Sequence, residues 1–177
     1  MLELDHRHVE ALLGELADSE EGPAREQLLA DLESSLDAHM KFEEGRIYPL
    51  VEQVMGVEPK EEATNEHQLA RDGLATLREL ATQPGFGGAV EALKGGITHH
   101  VEEEESEIFP GLRSQVDADE QQSLGHALLA AKRDAGLPVV PPEATKEQLL
   151  KLANELRIAG RSAMDRDALA EAIMQSS

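Results

Sequence analysis

Sixty-one residues separate two copies of one short pattern, and that repeat constrains this chain more than any other feature. Shifted by 61 against itself, the sequence pairs His39 with His100, Glu43 with Glu104 and Glu44 with Glu105. The same shift pairs Ile47 with Ile108, Tyr48 with Phe109 and Pro49 with Pro110. Farther upstream it pairs His6 with His67, Asp5 with Glu66, Leu13 with Leu74 and Leu16 with Leu77. Most other positions differ between the halves, whereas those able to hold a cation agree. Each half therefore carries one His, followed 33 residues later by His-x-x-x-Glu.

Helical geometry gives that spacing a chemical meaning. Residues four apart lie about 40° apart and one turn along a helix, so a His/Glu pair can grip one side of a metal centre. We read His6, His39, Glu43, His67, His100 and Glu104 as metal ligands of a two-metal site. Glu43 and Glu104 are the natural bridges, and the four histidines the terminal ligands. Two buried carboxylates need compensating positive charge, which a pair of divalent ions supplies. Imidazole and carboxylate without thiolate suit iron, manganese or zinc rather than copper(I). Six protein ligands leave positions open for water, oxygen, peroxide or nitric oxide.

The repeat also chooses between neighbours. His99 aligns with Ala38, which cannot ligate, whereas His100 aligns with His39. Glu44 and Glu105 recur, but five residues after the His they point about 140° away and read as solvated or outlying carboxylates. Glu102, Glu103 and Glu107 have no partner of their kind and read as surface. Ser35 and Gly96 put a small residue one turn before each ligand His, leaving room for close helix approach or for a small molecule. Ile47 and Ile108 are expected to floor the site. Pro49 and Pro110 are expected to bend or end the helices beyond it.

The remaining composition favours helices. With three Phe, one Tyr, no Trp and no Cys, the core must be aliphatic, and disulfides and thiol chemistry are excluded. Apolar positions recur at helical spacing in Leu2–Ala17, where Leu2, His6, Val9, Leu13 and Leu16 share a stripe and His8 faces water. Further helices are expected over residues 24–55, from Pro59 to about Ala81, and from the Gly-rich turn at 83–88 to about Val116. The fold class is all-α: an up-down-up-down four-helix bundle with a short fifth helix over 117–135. A net charge of −20 repels nucleic acid and anionic membranes. Met1 to Asp5 leads straight into a charged helical pattern, so no secretory leader is expected. No apolar run approaches the ~18 residues of a membrane span. The reading is a soluble, cytoplasmic protein with no membrane partner.

On these residues the sequence resembles the hemerythrin-like HHE cation-binding family, over residues 1–134. The resemblance implies a four-helix bundle holding two non-haem iron ions through His6, then His39 and Glu43, then His67, then His100 and Glu104. Ferritin-like di-iron proteins use the opposite order, Glu-x-x-His. The invertebrate oxygen carriers of the family employ a fifth His and an Asp bridge, from which this chain departs. The roles implied are binding or sensing of O2, nitric oxide, peroxide or iron status. A peroxide-consuming, catalase-like enzyme of the oxidative-stress kind is the alternative. Tyr48 would be its proton donor, although the repeat partner of Tyr48 is Phe109.

Residues 135–143 read as a Pro-rich linker, and 144–177 as a two-helix module. Thr145 and Gln148 form a capping box ahead of Leu149, Leu152 and Leu156. The stretch ELRIAGRSAM is similar to the turn of the Rho-termination-factor N-terminal, SAP-like class, which is associated with nucleic-acid binding. Residues 140–177 nevertheless carry five basic and six acidic residues and no aromatic platform. Arg157, Arg161 and Arg166 are the residues that could cluster there. A third reading is thus a metal-regulated scaffold whose C-terminal module contacts a protein or nucleic acid.

Overall fold

The structure is a computed structural model, and it describes residues 2–176. These form α1 (Leu2–Ala17), α2 (Pro23–Phe42), α3 (Tyr48–Met55), α4 (Val57–Leu80), α5 (Phe86–Glu103), α6 (Phe109–Gln115), α7 (Ala118–Asp134), α8 (Lys146–Glu155) and α9 (Arg166–Gln175). No strand occurs among the described residues, and none of their helices is long and apolar enough to cross a membrane. Contacts divide the chain into two compact units, one of residues 9–112 and one joining the residues up to His8 with those from Arg113 on.

The larger unit is the up-down-up-down four-helix bundle. Leu13 and Leu16 of α1, Leu32, Leu36 and Met40 of α2, Leu74 and Leu77 of α4, and Val90, Leu93 and Ile97 of α5 form one buried aliphatic cluster. These positions follow the three-and-four spacing that places apolar side chains on one face of a helix. Gly73 lets α4 and α5 approach closely, since a Cβ there would sit 2.8 Å from Leu93 Cδ1. Gly56 alone connects α3 to α4, at φ 100°, a backbone angle that side chains with a Cβ rarely adopt.

The helices do not stop at the prolines. Between α2 and α3 the chain makes a π turn over Glu43–Ile47, and between α5 and α6 a second over Glu104–Ile108. Pro49 and Pro110 have no N–H to give the carbonyl four residues back, and their rings crowd it. One residue earlier, the Tyr48 and Phe109 N–H groups reach five residues back, to the Glu43 and Glu104 carbonyls. The widened turn makes room for each ring, so the helices continue past the prolines and do not end there. Of the two roles expected for Gly96, close helix approach is not seen, since Gly96 is exposed with open space at the Cβ position.

In the smaller unit α7, α8, α9 and the first turns of α1 share another core. Leu4 packs with Leu129, Ala144, Leu149, Leu152, Leu156, Leu169 and Ile173. Asp5 pairs with the buried Lys132, and Glu3 with both Arg113 (2.6 Å) and Lys151. His8 was expected in water but is only 15% exposed, because its Nδ1 meets Glu143 at 2.6 Å. The Thr145–Gln148 capping box forms as the sequence indicated, and Asp165 caps α9. The proline-rich stretch is tied down: Val139 and Val140 pack on the core, and Arg166 donates to the carbonyls of Ala144 and Pro142.

Candidate metal centre

Each π turn starts on a glutamate of the repeat, and π turns are frequent where a helix carries function. At the end of α2, His39 Nε2 lies 3.1 Å from Glu43 Oε2. At the end of α5, His100 Nε2 lies 3.6 Å from Glu104 Oε1. From α4, His67 brings its Nε2 to 3.3 Å from Glu43 Oε2, and its ring meets that of His100 edge-on with centroids 4.9 Å apart. Glu43, His67 and His100 offer ligand atoms all within 4.8 Å of one another, as do His39, Glu43 and Glu104. Both glutamates are fully buried, and the three histidines nearly so. His6 is buried too, one turn ahead of Val9 on the continuous helix α1.

The outer ring nitrogens are committed elsewhere. His67 Nδ1 donates to Glu44 Oε1 at 3.0 Å, and His100 Nδ1 donates to Glu66 Oε2 at 2.8 Å. An ionised carboxylate only accepts, so each contact puts the proton on Nδ1 and leaves Nε2 as the lone-pair nitrogen facing inward. Burial works against ionisation of Glu44, but hydrogen bonds from Arg71 (2.8 Å) and His67 outweigh it and hold the carboxyl below its usual range. Glu44 thus acts as the outlying carboxylate of His67. Glu66 was not singled out in this role, although its alignment with Asp5 marked it as a repeated acid.

Tyr48 is the residue whose position the sequence understated. Its hydroxyl lies 2.9 Å from His67 Nε2 and 3.4 Å from Glu104 Oε1, and its ring stacks on His67 with centroids 5.1 Å apart. Burial, then the charges of Glu43 and Glu104, push its ionisation far above the ordinary tyrosine value, so it stays a phenol. At the repeat-related position Phe109 is buried and carries no hydroxyl.

This donor set fits a cation. Donors held about 2.1 Å from one ion lie about 3.0–3.4 Å apart, close to the 3.1–3.6 Å found here. His100 Nε2 is buried with no hydrogen-bond partner, the state of a nitrogen built to bind something other than a proton donor. Fully buried carboxylates among imidazoles require positive charge between them. With no cysteine in the chain, the ligands are nitrogen and oxygen throughout.

The chain is similar to known proteins. The chain is 25% identical over 133 residues to a protein named DNA nickase from Nostoc sp. (strain PCC 7120 / SAG 25.82 / UTEX 2576), covering 75% of this chain and 38% of that protein. It is 29% identical over 102 residues to an uncharacterized hemerythrin-like protein of Schizosaccharomyces pombe (strain 972 / ATCC 24843), covering 55% of this chain and 50% of that one. The chain therefore spans half or less of the length of these two relatives. No solved structure matches it significantly. The model of the hemerythrin HHE cation-binding domain matches residues 1–112, so the chain belongs to the hemerythrin HHE cation-binding family.

Proposed function

We propose that the protein binds two iron ions in the bundle and uses them to bind or sense O2 or a related small molecule such as nitric oxide. The ligands in this reading are His6, His39, Glu43, His67, His100 and Glu104. His6 takes its place from its register with His67 in the repeat and from its burial on α1. The observation that carries the reading is the convergence of both His-x-x-x-Glu pairs, each ending in a π turn, on buried donors at coordination spacing. A non-haem iron pair supplies reversible binding of diatomic ligands and one-electron redox steps. This chain's residues bind and orient the ions, exclude water with Ile47 and Ile108, and fix the ring tautomers through Glu44 and Glu66.

The test is anaerobic loading with Fe(II), followed by titration with O2 and then nitric oxide under optical spectroscopy. The reading expects an absorption change that reverses on deoxygenation in the wild-type chain and is lost in His39→Ala. Manganese or zinc would occupy the same donors without the O2 response.

A second reading, consumption of peroxide, is favoured by one observation. Tyr48 places a protonated hydroxyl 2.9 Å from a ligand nitrogen, where it can hand a proton to a molecule bound in the site. Steady loss of added peroxide in wild type, reduced at least ~10-fold in Tyr48→Phe at unchanged metal content, would select it. A DNA partner, raised by the name of one relative, finds less support. Arg157 pairs with Asp119, Arg161 with Asn154, and Arg166 with the Ala144 and Pro142 carbonyls. The net charge of −20 also opposes phosphate binding.

A further inference from the structure

The stretch of α5 that carries His100 and Glu104 writes the same motif a second time, one residue earlier. His99 and Glu103 are also four apart, and they lie about 100° around the helix from the buried pair. His99 Nε2 is 3.3 Å from Glu103 Oε1 and 3.6 Å from Oε1 of Glu66, which α4 contributes. The three ligand atoms fall within 4.8 Å of one another. Those separations match the buried His–Glu pairs, and they are the spacing expected of donors to a single ion.

Two features distinguish this trio from an acidic patch. The imidazole of His99 adds a nitrogen donor, and Glu66 is fixed at its far end. Its Oε2 accepts from His100 Nδ1 at 2.8 Å while its Oε1 faces His99. A single carboxylate therefore stands between an exposed donor set and a histidine of the buried centre. That histidine is the most accessible of those in the larger unit's centre, its side chain being 10% exposed against 5% for His39 and 2% for His67.

The charge around the trio points the same way. Two carboxylates, Glu66 and Glu103, converge on the one imidazole of His99. A divalent cation would relieve that crowding. The repeat offers no counterpart, since His99 and Glu103 align with Ala38 and Phe42. The trio thus exists only in the second copy of the repeat, outside the symmetric set of six.

We propose that Glu66, His99 and Glu103 form a separate, solvent-facing site for a divalent cation of the Fe2+, Mn2+ or Zn2+ class, from which the buried centre is loaded past His100. The loading role rests on the buried donors being a metal centre; cation binding at the trio does not.

The test uses the full chain, freed of metal, with Mn2+ as the probe and free Mn2+ read by electron paramagnetic resonance. Wild type is expected to bind one more ion per chain than His99→Ala/Glu103→Gln, both side chains being exposed enough to replace without unfolding. Equal stoichiometry and affinity in the two proteins would overturn the site. Anaerobic Fe2+ uptake then tests loading. The variant should reach the wild-type content of the buried centre about 10-fold more slowly, and equal rates would overturn that role. His39→Ala/Glu43→Gln, checked for helicity, should retain the outer ion. If wild type held only that ion, the buried-centre reading would fail while the outer site stood.

Discussion

Glu44 and His67 share a 3.0 Å hydrogen bond, and that one contact decides which imidazole nitrogen faces the centre of the bundle. Arg71 donates to the same carboxylate oxygen at 2.8 Å. Carboxylates in this position typically change metal affinity by about 10–100-fold. Glu44→Ala should therefore weaken metal binding by roughly that factor and leave the number of ions at saturation unchanged, as measured by competition against a chelator. Unchanged affinity would mean that packing alone orients His67.

Tyr48→Phe makes the two halves of the centre alike. Removing a buried hydroxyl whose partners are a histidine and a glutamate should cost about 1 kcal/mol of stability in the metal-free protein, read from a denaturant midpoint. Metal content should not change. A chain that instead loses metal would show that the hydroxyl belongs among the ligands.

Lys132 and Asp5 form a buried ion pair in the smaller unit. Lys132→Met removes this buried cation from beside Asp5 and should destabilise that unit by about 3–5 kcal/mol. Asp5→Asn/Lys132→Met should recover much of the loss. Urea unfolding of the three proteins, followed by hydrogen exchange in α7 and α8, gives the comparison.

Glu3 provides the pH dependence. Burial would raise its pKa, but hydrogen bonds from Arg113 and Lys151 outweigh that and lower it to about 2 from 4.5. A group depressed in the folded state contributes its full stability above the unfolded value and loses it as pH falls through the folded one. The smaller unit should therefore lose stability between about pH 4.5 and 2, by about 1 kcal/mol once solvent screening is allowed for. Glu3→Gln should be less stable at neutral pH and flat across that acid window.

Much of the fold was legible because two periodicities coincide. The three-and-four spacing of Leu13, Leu16, Leu32, Leu36, Leu74 and Leu77 marks the helices, and the 61-residue repeat marks which polar residues share their buried faces. The π turns were not legible in the apolar pattern, because each spans only five residues, Glu43–Ile47 and Glu104–Ile108. Pro49 and Pro110 were their signal, and the widened turn is what a helix does when it must carry proline without breaking. Tyr48 was underrated because repeat logic favours what both halves share, whereas its hydroxyl exists in one. The outer trio was hidden for the same reason: His99 and Glu103 lack counterparts. The packing of Leu4 and Asp5 with α7–α9 joins residues more than 120 apart, and no local pattern encodes such contacts.

Whether the six buried donors hold two irons is read from the metal content of the purified chain after growth with ample iron, with the outer trio disabled by His99→Ala/Glu103→Gln. That chain should hold close to two irons, and the number should fall sharply on adding His39→Ala or His100→Ala. A folded chain holding no metal, or one whose iron survives both substitutions, would contradict a two-iron centre there.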